Sequence, residues 1–272
     1  MDEQILIKNW NDFIEWANKV DRGPTGPTIF RGQPHDWPLC PSLTRILIKN
    51  KVNINDARVI ENKLLEDFQT KRHLHENVCN KLNEKDLLAW WEIMQHYGAP
   101  TRLLDWTKSP YVALYFAVND LSENDGVVYV LEMGHLNWIQ SVRGQKDGAD
   151  IRHVFEEIRK SIEGKDYKKS MVVIGSPTPT NRMQAQQSSL TLNTELLMPH
   201  DETADGIVFD GVHGGEGHTL LQKTIIPSQL KSVFMSELRN KGISADTMFP
   251  SIDGLGKASD ELAKILSIKN KP

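Results

Sequence analysis

The sequence predicts an α+β fold, and three observations carry that prediction. Helical and β-branched segments follow one another irregularly, without the regular strand–helix alternation of a doubly wound sheet. The stretch 96–118 packs a helix stop, a short apolar strand, a polar turn and a helix start into roughly twenty residues. No internal repeat or low-complexity tract appears.

At 272 residues the chain is long enough to bury a substantial core. It is read as one domain over 1–272, with 134–170 as an insertion and 227–272 as a C-terminal helical part. Hydrophobic content of 39% and charged content of 25% are those of a soluble globular protein. A formal charge of −4 gives no basic footprint for duplex nucleic acid. The longest apolar run, 111–118, is far too short for a membrane span. The first residues carry acids and lack the basic-then-apolar pattern of a signal peptide. Cys40 and Cys79 have no metal-like spacing. The expectation is a reduced, cytoplasmic protein with no membrane partner and no bound metal.

Taken in order, residues 5–20 read as a short strand or turn entering an amphipathic helix, capped near Asn9 or Asn11. Residues 21–27 are a turn-rich loop. Residues 28–33 form a strand in which Gly32 marks close approach by a ligand or a neighbouring backbone. A loop at 34–39 holds His35 and Asp36, second-tier site candidates because of their closeness to Arg31, and 41–45 reads as a short turn. Helical periodicity covers 54–78 and 85–97. In the first of these Ala57, Ile60, Leu64, Leu65 and Phe68 make the apolar stripe, and Glu61, Lys63, Glu66, Asp67, Lys71 and Arg72 the solvated face. His73 and His75, two apart, point to different sides of a helix and make a poor metal pair.

Further on, 126–132 and 171–174 are strands. Within the insertion 151–162 is a short helix and 163–170 a lysine-rich surface loop. A loop at 176–181 leads into 182–192, where Gln186 is placed on a strand. Residues 198–218 are turn-rich, and Gly214, Gly215, Glu216 and Gly217 lack the following helix of a phosphate loop. A strand at 220–226, a helix at 227–241, an extended segment at 243–250 and a closing helix at 257–268 complete the chain.

The central stretch carries the chemistry. Gly98 suits a left-handed helix stop, and Pro100 forbids continuation. Ser109 is a good N-cap and Pro110 a good first helical residue. The helix behind them is apolar on nearly every side and therefore buried. Its first turn, beside Thr107, Lys108 and Ser109, offers an anion site, with His96 and Arg102 close upstream. The plainer alternative makes Arg102 and Asp105 a buried ion pair and His96 a core histidine. Trp90, Trp91, Trp106 and Phe116 read as core.

Phe30-Arg31-Gly32, the run His96-Tyr97-Gly98-Ala99-Pro100-Thr101-Arg102-Leu103-Leu104-Asp105-Trp106-Thr107, Ser109-Pro110 and Ala113–Ala117 together resemble the FRG domain. Arg182 with Gln186-Gln187, and Met248 to Gly254, are similar to that family's later motifs; Ser188 and Leu190 depart from them, where glycine and phenylalanine are usual. The order of Arg-Gly on a first strand, a Thr/Ser turn before an Ala-rich helix, and a later strand with Gln or Glu resembles more distantly the ADP-ribosyltransferase superfamily. That likeness implies a mixed sheet core with surrounding helices and NAD as the cofactor. It implies an ADP-ribosyltransferase-like enzyme or NAD glycohydrolase, of the kind used as toxins or antiviral defence effectors. Residue by residue, it implies Arg31 at the NAD phosphates or ribose, Thr107 and Ser109 along the nicotinamide cleft, and Gln186 at the ribose. A glutamine there can hydrogen-bond a hydroxyl but adds no charge, so Asp105, Glu195 or Glu216 is the alternative carboxylate.

The expected catalytic set is thus Arg31, His96 and Gln186, and the ligand-binding set Gln33, Thr101, Arg102, Asp105, Trp106, Thr107 and Ser109. The partner is a nucleotide-like small molecule, with a protein or nucleic-acid acceptor left open. Two other functions fit the same residues: a non-catalytic module sensing a nucleotide or ADP-ribose, and a metal-independent nuclease or phosphohydrolase built on His96, Arg102 and Asp105.

Overall fold

Six strands build one sheet: β1 (Thr28–Gln33), β2 (Leu104–Thr107), β3 (Gly126–Glu132), β4 (Met171–Ile174), β5 (Ser188–Asn193) and β6 (Leu221–Ile226). They lie in the order β4-β5-β2-β1-β3-β6. Every pairing is antiparallel, so the sheet is not of the mixed kind that was expected. This computed structural model describes residues 7–20, 27–72, 83, 86–134, 136, 151–175, 180–209 and 220–269. The expectations at 21–26, His73, His75, Cys79, 137–150, 176–179 and 214–217, Glu216 included, lie outside the described residues.

Eleven helices surround the sheet among the described residues: α1 (Trp10–Val20), α2 (Ser42–Lys49), α3 (Ile54–Lys71), α4 (Leu87–His96), α5 (Pro110–Val118), α6 (Ile151–Ile162), α7 (Asn181–Ala185), α8 (His200–Phe209), α9 (Lys231–Asn240), α10 (Ala245–Met248) and α11 (Ile252–Lys269). The α+β class holds. None of these helices is long and apolar enough to cross a membrane.

Strand alternation divides the core. On β3, Val128 and Val130 face one cluster, while Val127, Tyr129 and Leu131 face another on the opposite side. The first cluster gathers Phe30, α5 and residues of α1, α9 and α11. Leu190 and Leu192 of β5 face a third cluster with Trp91 and Met94 of α4, Leu103 and Ile158 of α6. Register places it on the same sheet face as the first: Phe30 pairs with Thr107, and Thr107's neighbour but one, Asp105, pairs with Leu190. That face therefore carries two packed regions, with β2 between them. Within the segment 134–170, read above as an insertion, Ile158 is buried in the third cluster.

Helix α5 sits close to the sheet because glycine lets it. A Cβ on Gly32 would lie 1.7 Å from the Ala113 carbonyl oxygen, and one on Gly126 would lie 2.2 Å from that of Ala117. The close approach expected at Gly32 is thus made by a neighbouring helix, and Gly32 also lines the cavity described below. Buried Lys231 ties the loop after β1 to the end of α5: its Nζ donates to the Pro34 carbonyl at 3.0 Å and pairs with Asp120 at 2.7 Å.

Four helices replace expected turns or extended chain, among them α7 at the start of the expected 182–192 strand. The 41–45 turn is the start of α2, with Leu43, Thr44 and Leu47 facing inward. The turn-rich reading of 198–218 gives way to α8, whose first turn holds Asp201 and Glu202, acids that suit a helix N-terminus. Part of the extended segment at 243–250 is α10, opened by a capping box between Ser244 and Thr247.

Candidate functional site

The sheet opens between β1 and β2. These strands share one bridged pair, Phe30 with Thr107, whereas β1 and β3 are paired over six residues. Beyond Phe30, Arg31 spans the gap in place of the ladder: its Nη1 donates to the Asp105 carbonyl at 2.7 Å and its Nε to Gln33 Oε1 at 3.4 Å. A cavity of about 200 Å³ occupies this opening, lined by Phe30, Arg31, Asp105, Trp106, Thr107 and Phe116, with Arg182 and Gln186 closing it. A second lobe of about 50 Å³ adjoins it across Asp105, Arg182 and Gln186, and adds Glu92, Gln95 and His96 from α4.

Arg31 is the unusual charge here. Burial lowers its pKa, with Asp105 partly opposing and Arg45 reinforcing the effect. A guanidinium stays cationic nonetheless. Its hydrogen bonds go to neutral oxygens, and among the described residues it forms no ion pair. A desolvated cation facing a cavity in this way favours an anion.

Arg102 has the opposite arrangement. It is fully buried, with its Nε donating to Glu61 Oε1 at 2.6 Å and its Nη2 to Glu61 Oε2. It stacks over Trp91 at 5.3 Å. Its expected place among ligand-binding residues is therefore taken by a structural ion pair, and the partner is Glu61 instead of Asp105. Glu61 was expected on the solvated face of its helix; it is buried because it neutralises Arg102.

Asp105 is exposed on an otherwise buried strand and projects into both lobes. Its Oδ1 accepts from Gln95 Nε2 at 2.7 Å. The Gln95 amide is itself oriented by Thr101, whose Oγ1 donates to Gln95 Oε1 at 2.5 Å. Thr101 thus acts through a relay: it is buried, lies outside the cavity lining, and fixes which end of Gln95 meets Asp105.

Gln186 is the C-cap of α7 and does not lie on the strand expected for it. Its Nε2 donates to the Met248 carbonyl at 3.0 Å. Gln187 follows at φ 48°, a left-handed turn that sets the approach to β5. Arg182, four residues before Gln186, stacks over Phe249 at 5.0 Å. The Arg182–Gln187 and Met248–Gly254 motifs are thus in direct contact.

His96 lines the smaller lobe. Burial lowers its pKa, and the nearby Arg182 charge lowers it further, so it is neutral near pH 7. Trp106 lines the larger lobe and is held from behind. Its Nε1 donates to Thr191 Oγ1 at 2.8 Å, and that hydroxyl lies 2.8 Å from His200 Nδ1. Burial, above all, lowers the His200 pKa to about 3.

Two further expected residues lie outside the lining. Gln33 is buried and donates to the Trp37 carbonyl at 2.7 Å. Ser109 caps α5, accepting from the Val112 amide at 3.4 Å, while Ser109's own amide donates to Thr107 Oγ1 at 3.1 Å. The Ala113 amide goes to the Ser109 carbonyl, so the cap consumes groups that an anion would need. His35 pairs with Asp120, Asp36 with Lys223, and Glu195 stays outside both lobes. The structure therefore gathers Arg31, His96, Asp105, Trp106, Thr107 and Gln186. It adds Glu92, buried on α4 one turn before His96, and Arg182. The sequence signal for Glu92 was its spacing of four from His96, which puts both on one helix face.

An α+β protein with a split antiparallel sheet and a cation-lined cleft is the class that these observations define. Residues 26–126 match the family model described as FRG domain, from just before β1 to the first residue of β3, which supports the FRG likeness of the Phe30-Arg31-Gly32 and 96–107 motifs. No curated protein and no solved structure matches the chain.

Proposed function

We propose that the cleft binds a nucleotide-like ligand and cleaves the nicotinamide–ribose bond of NAD. The observation that carries this reading is Arg31, a half-buried cation lining a cavity without an ion-pair partner among the described residues. Arg182 adds a second positive charge at the same opening. Breaking the bond builds positive charge on the ribose, and Asp105 supplies a carboxylate held by Gln95 and Thr101 for that purpose. Gln186 contributes position through its amide, and Trp106 and Phe116 supply flat apolar walls for a ring. At about 200 Å³ the larger lobe is below the range of about 300–1,000 Å³ that encloses a drug-sized ligand. It takes the reacting end of the dinucleotide, and the adenosine end lies outside.

The test is thermal unfolding of the purified chain with NAD, ADP-ribose, nicotinamide or AMP. A ligand at one hundred times its Kd adds about 2.7 kcal/mol of stability. We expect a rise in Tm with NAD and ADP-ribose that vanishes in Arg31→Ala, while the unliganded variant melts within a few degrees of wild type. Absence of any shift, or full retention in Arg31→Ala, contradicts the reading. A sensing role is favoured by one feature, the neutral amide of Gln186 in a position where a carboxylate would serve catalysis. It requires the same binding with no release of nicotinamide.

A further inference from the structure

We propose that α11 pairs with the α11 of a second copy of this chain, so that the protein is a twofold dimer joined along the outer face of that helix. The proposal is independent of what the cleft binds. It starts from the two rows of residues on α11, of which the fold itself uses one. Gly254, Ala258, Glu261 and Ile265, spaced four, three and four apart, turn inward and are buried. They anchor the helix to the domain: a Cβ on Gly254 would lie 1.8 Å from the Phe249 carbonyl oxygen. Glu261 accepts from the Tyr115 hydroxyl at 2.6 Å and from the Ala245 amide at 3.1 Å. The second row is Ile252, Leu255, Ser259 and Leu262, spaced three, four and three apart, with Leu266 at the next position of the same repeat. All of these are exposed, Ile252 at 80% and Leu255 at 53%.

Alternation of three and four keeps the second row on one stripe of the helix, and it is the repeat by which helices pack side by side. A twofold axis sets a patch against itself, so such a row is complementary to its own copy. The helix of 18 residues is about 27 Å long. Its exposed row is an apolar patch on the order of several hundred Å², the size that marks an interaction surface on a single chain. Two such patches with their rims cover on the order of 1,000 Å², where specific interfaces begin. The charges favour a second copy over a lipid surface. Beside the row lie Asp253 and Asp260 with Lys257 and Lys264, equal in number, and Lys264 pairs with Asp260 at 2.7 Å. A helix that lies on anionic lipid carries a polar face rich in Lys and Arg instead. The row itself holds no charge, so two copies meet there without like charges opposed.

The experiment is sedimentation equilibrium of the full chain at micromolar and higher concentrations. We expect a species of twice the mass of one chain. Leu255→Glu with Ser259→Glu, both at exposed positions, should keep the wild-type circular dichroism and weaken the dimer by about 10²-fold or more, because carboxylates would then face carboxylates. Ser259 is the midpoint between Ile252 and Leu266, so in a twofold pair it meets its own counterpart. Ser259→Cys should therefore give a disulfide-linked dimer under mild oxidation. Lys264→Cys, on the charged flank, should link no more than wild type, whose Cys40 and Cys79 set the background. A wild-type chain that stays at the mass of one copy overturns the proposal, whether or not it binds lipid vesicles. A dimer that survives Leu255→Glu with Ser259→Glu overturns it too, as does Ser259→Cys linking no faster than Lys264→Cys.

Discussion

Arg31 and Arg102 carry the same charge and each sits beside a core strand, yet the protein uses them for different ends. Arg102 is neutralised by Glu61 in the interior, and Arg31 faces a cavity with only neutral oxygens on its guanidinium. Removing one partner of a buried pair costs about 3–5 kcal/mol, because a charge is left uncompensated. We therefore expect Glu61→Gln to lose that much stability in a denaturant titration, and Glu61→Leu with Arg102→Met to lose distinctly less. If Arg102→Met instead abolishes ligand binding at unchanged stability, Arg102 belongs to the site. At this scale the sequence made Arg31, Asp105 and the Ser109 cap legible, because each sits at a marked element end. A buried ion pair at Arg102 was one of the readings, but its partner was not legible, because Glu61 is 41 residues away on a helix whose charges alternate with apolar residues. Nothing local distinguishes Glu61 from Glu66, which is exposed.

At the scale of elements, the cleft depends on how closely α5 approaches β1. Gly32 sets that distance: an added Cβ would meet the Ala113 carbonyl at 1.7 Å, with backbone on both sides and no flexible side chain to yield. Gly32→Ala should destabilise the fold by about 3 kcal/mol or more, at or above the upper end of ordinary overpacking. Gly256→Ala on α11 meets nothing within 4 Å and should stabilise by up to about 1 kcal/mol. Urea midpoints of the two variants check both signs; equal effects would contradict the close crossing of β1 and α5. Strands β1, β3, β4 and β6 were legible within a residue at each end, β2 only as a short apolar strand without bounds, and β5 begins after the Gln186 segment that was read as part of it. Helices α2, α8 and α10 were not legible, since Pro41, the acid-rich start at His200 and the Ser244 cap are also turn formers. Packing decided in favour of helix at each: Leu43 and Leu47, for example, are buried together with Ala57 and Leu196.

For the whole molecule, the site is a product of topology. Arg31, the α4–β2 stretch and the α7 turn are far apart in the chain, and the strand order β5-β2-β1 brings them to one opening at the split between β1 and β2. Sequence reading assembled most of these residues but not their geometry: it offered the helix start at Ser109 as the anion site, whereas the cap there is satisfied and the cavity lies at the split between strands. It also left the carboxylate open among three residues: Asp105 lines the described cleft, Glu195 lies outside it, and Glu216 lies outside the described residues. The central claim is that the Asp105 carboxylate meets the charge developing on ribose. Its most direct test is the rate of nicotinamide release from NAD by wild type and by Asp105→Asn, which keeps the shape and the bond to Gln95 after an amide flip. Loss of one electrostatic contact to a transition state typically costs about 10²–10³ in kcat. The account predicts release by wild type, a fall of that size in Asp105→Asn, and equal melting temperatures for the two proteins. Release no faster than the spontaneous rate in wild type, or an Asp105→Asn enzyme as fast as wild type, would contradict it.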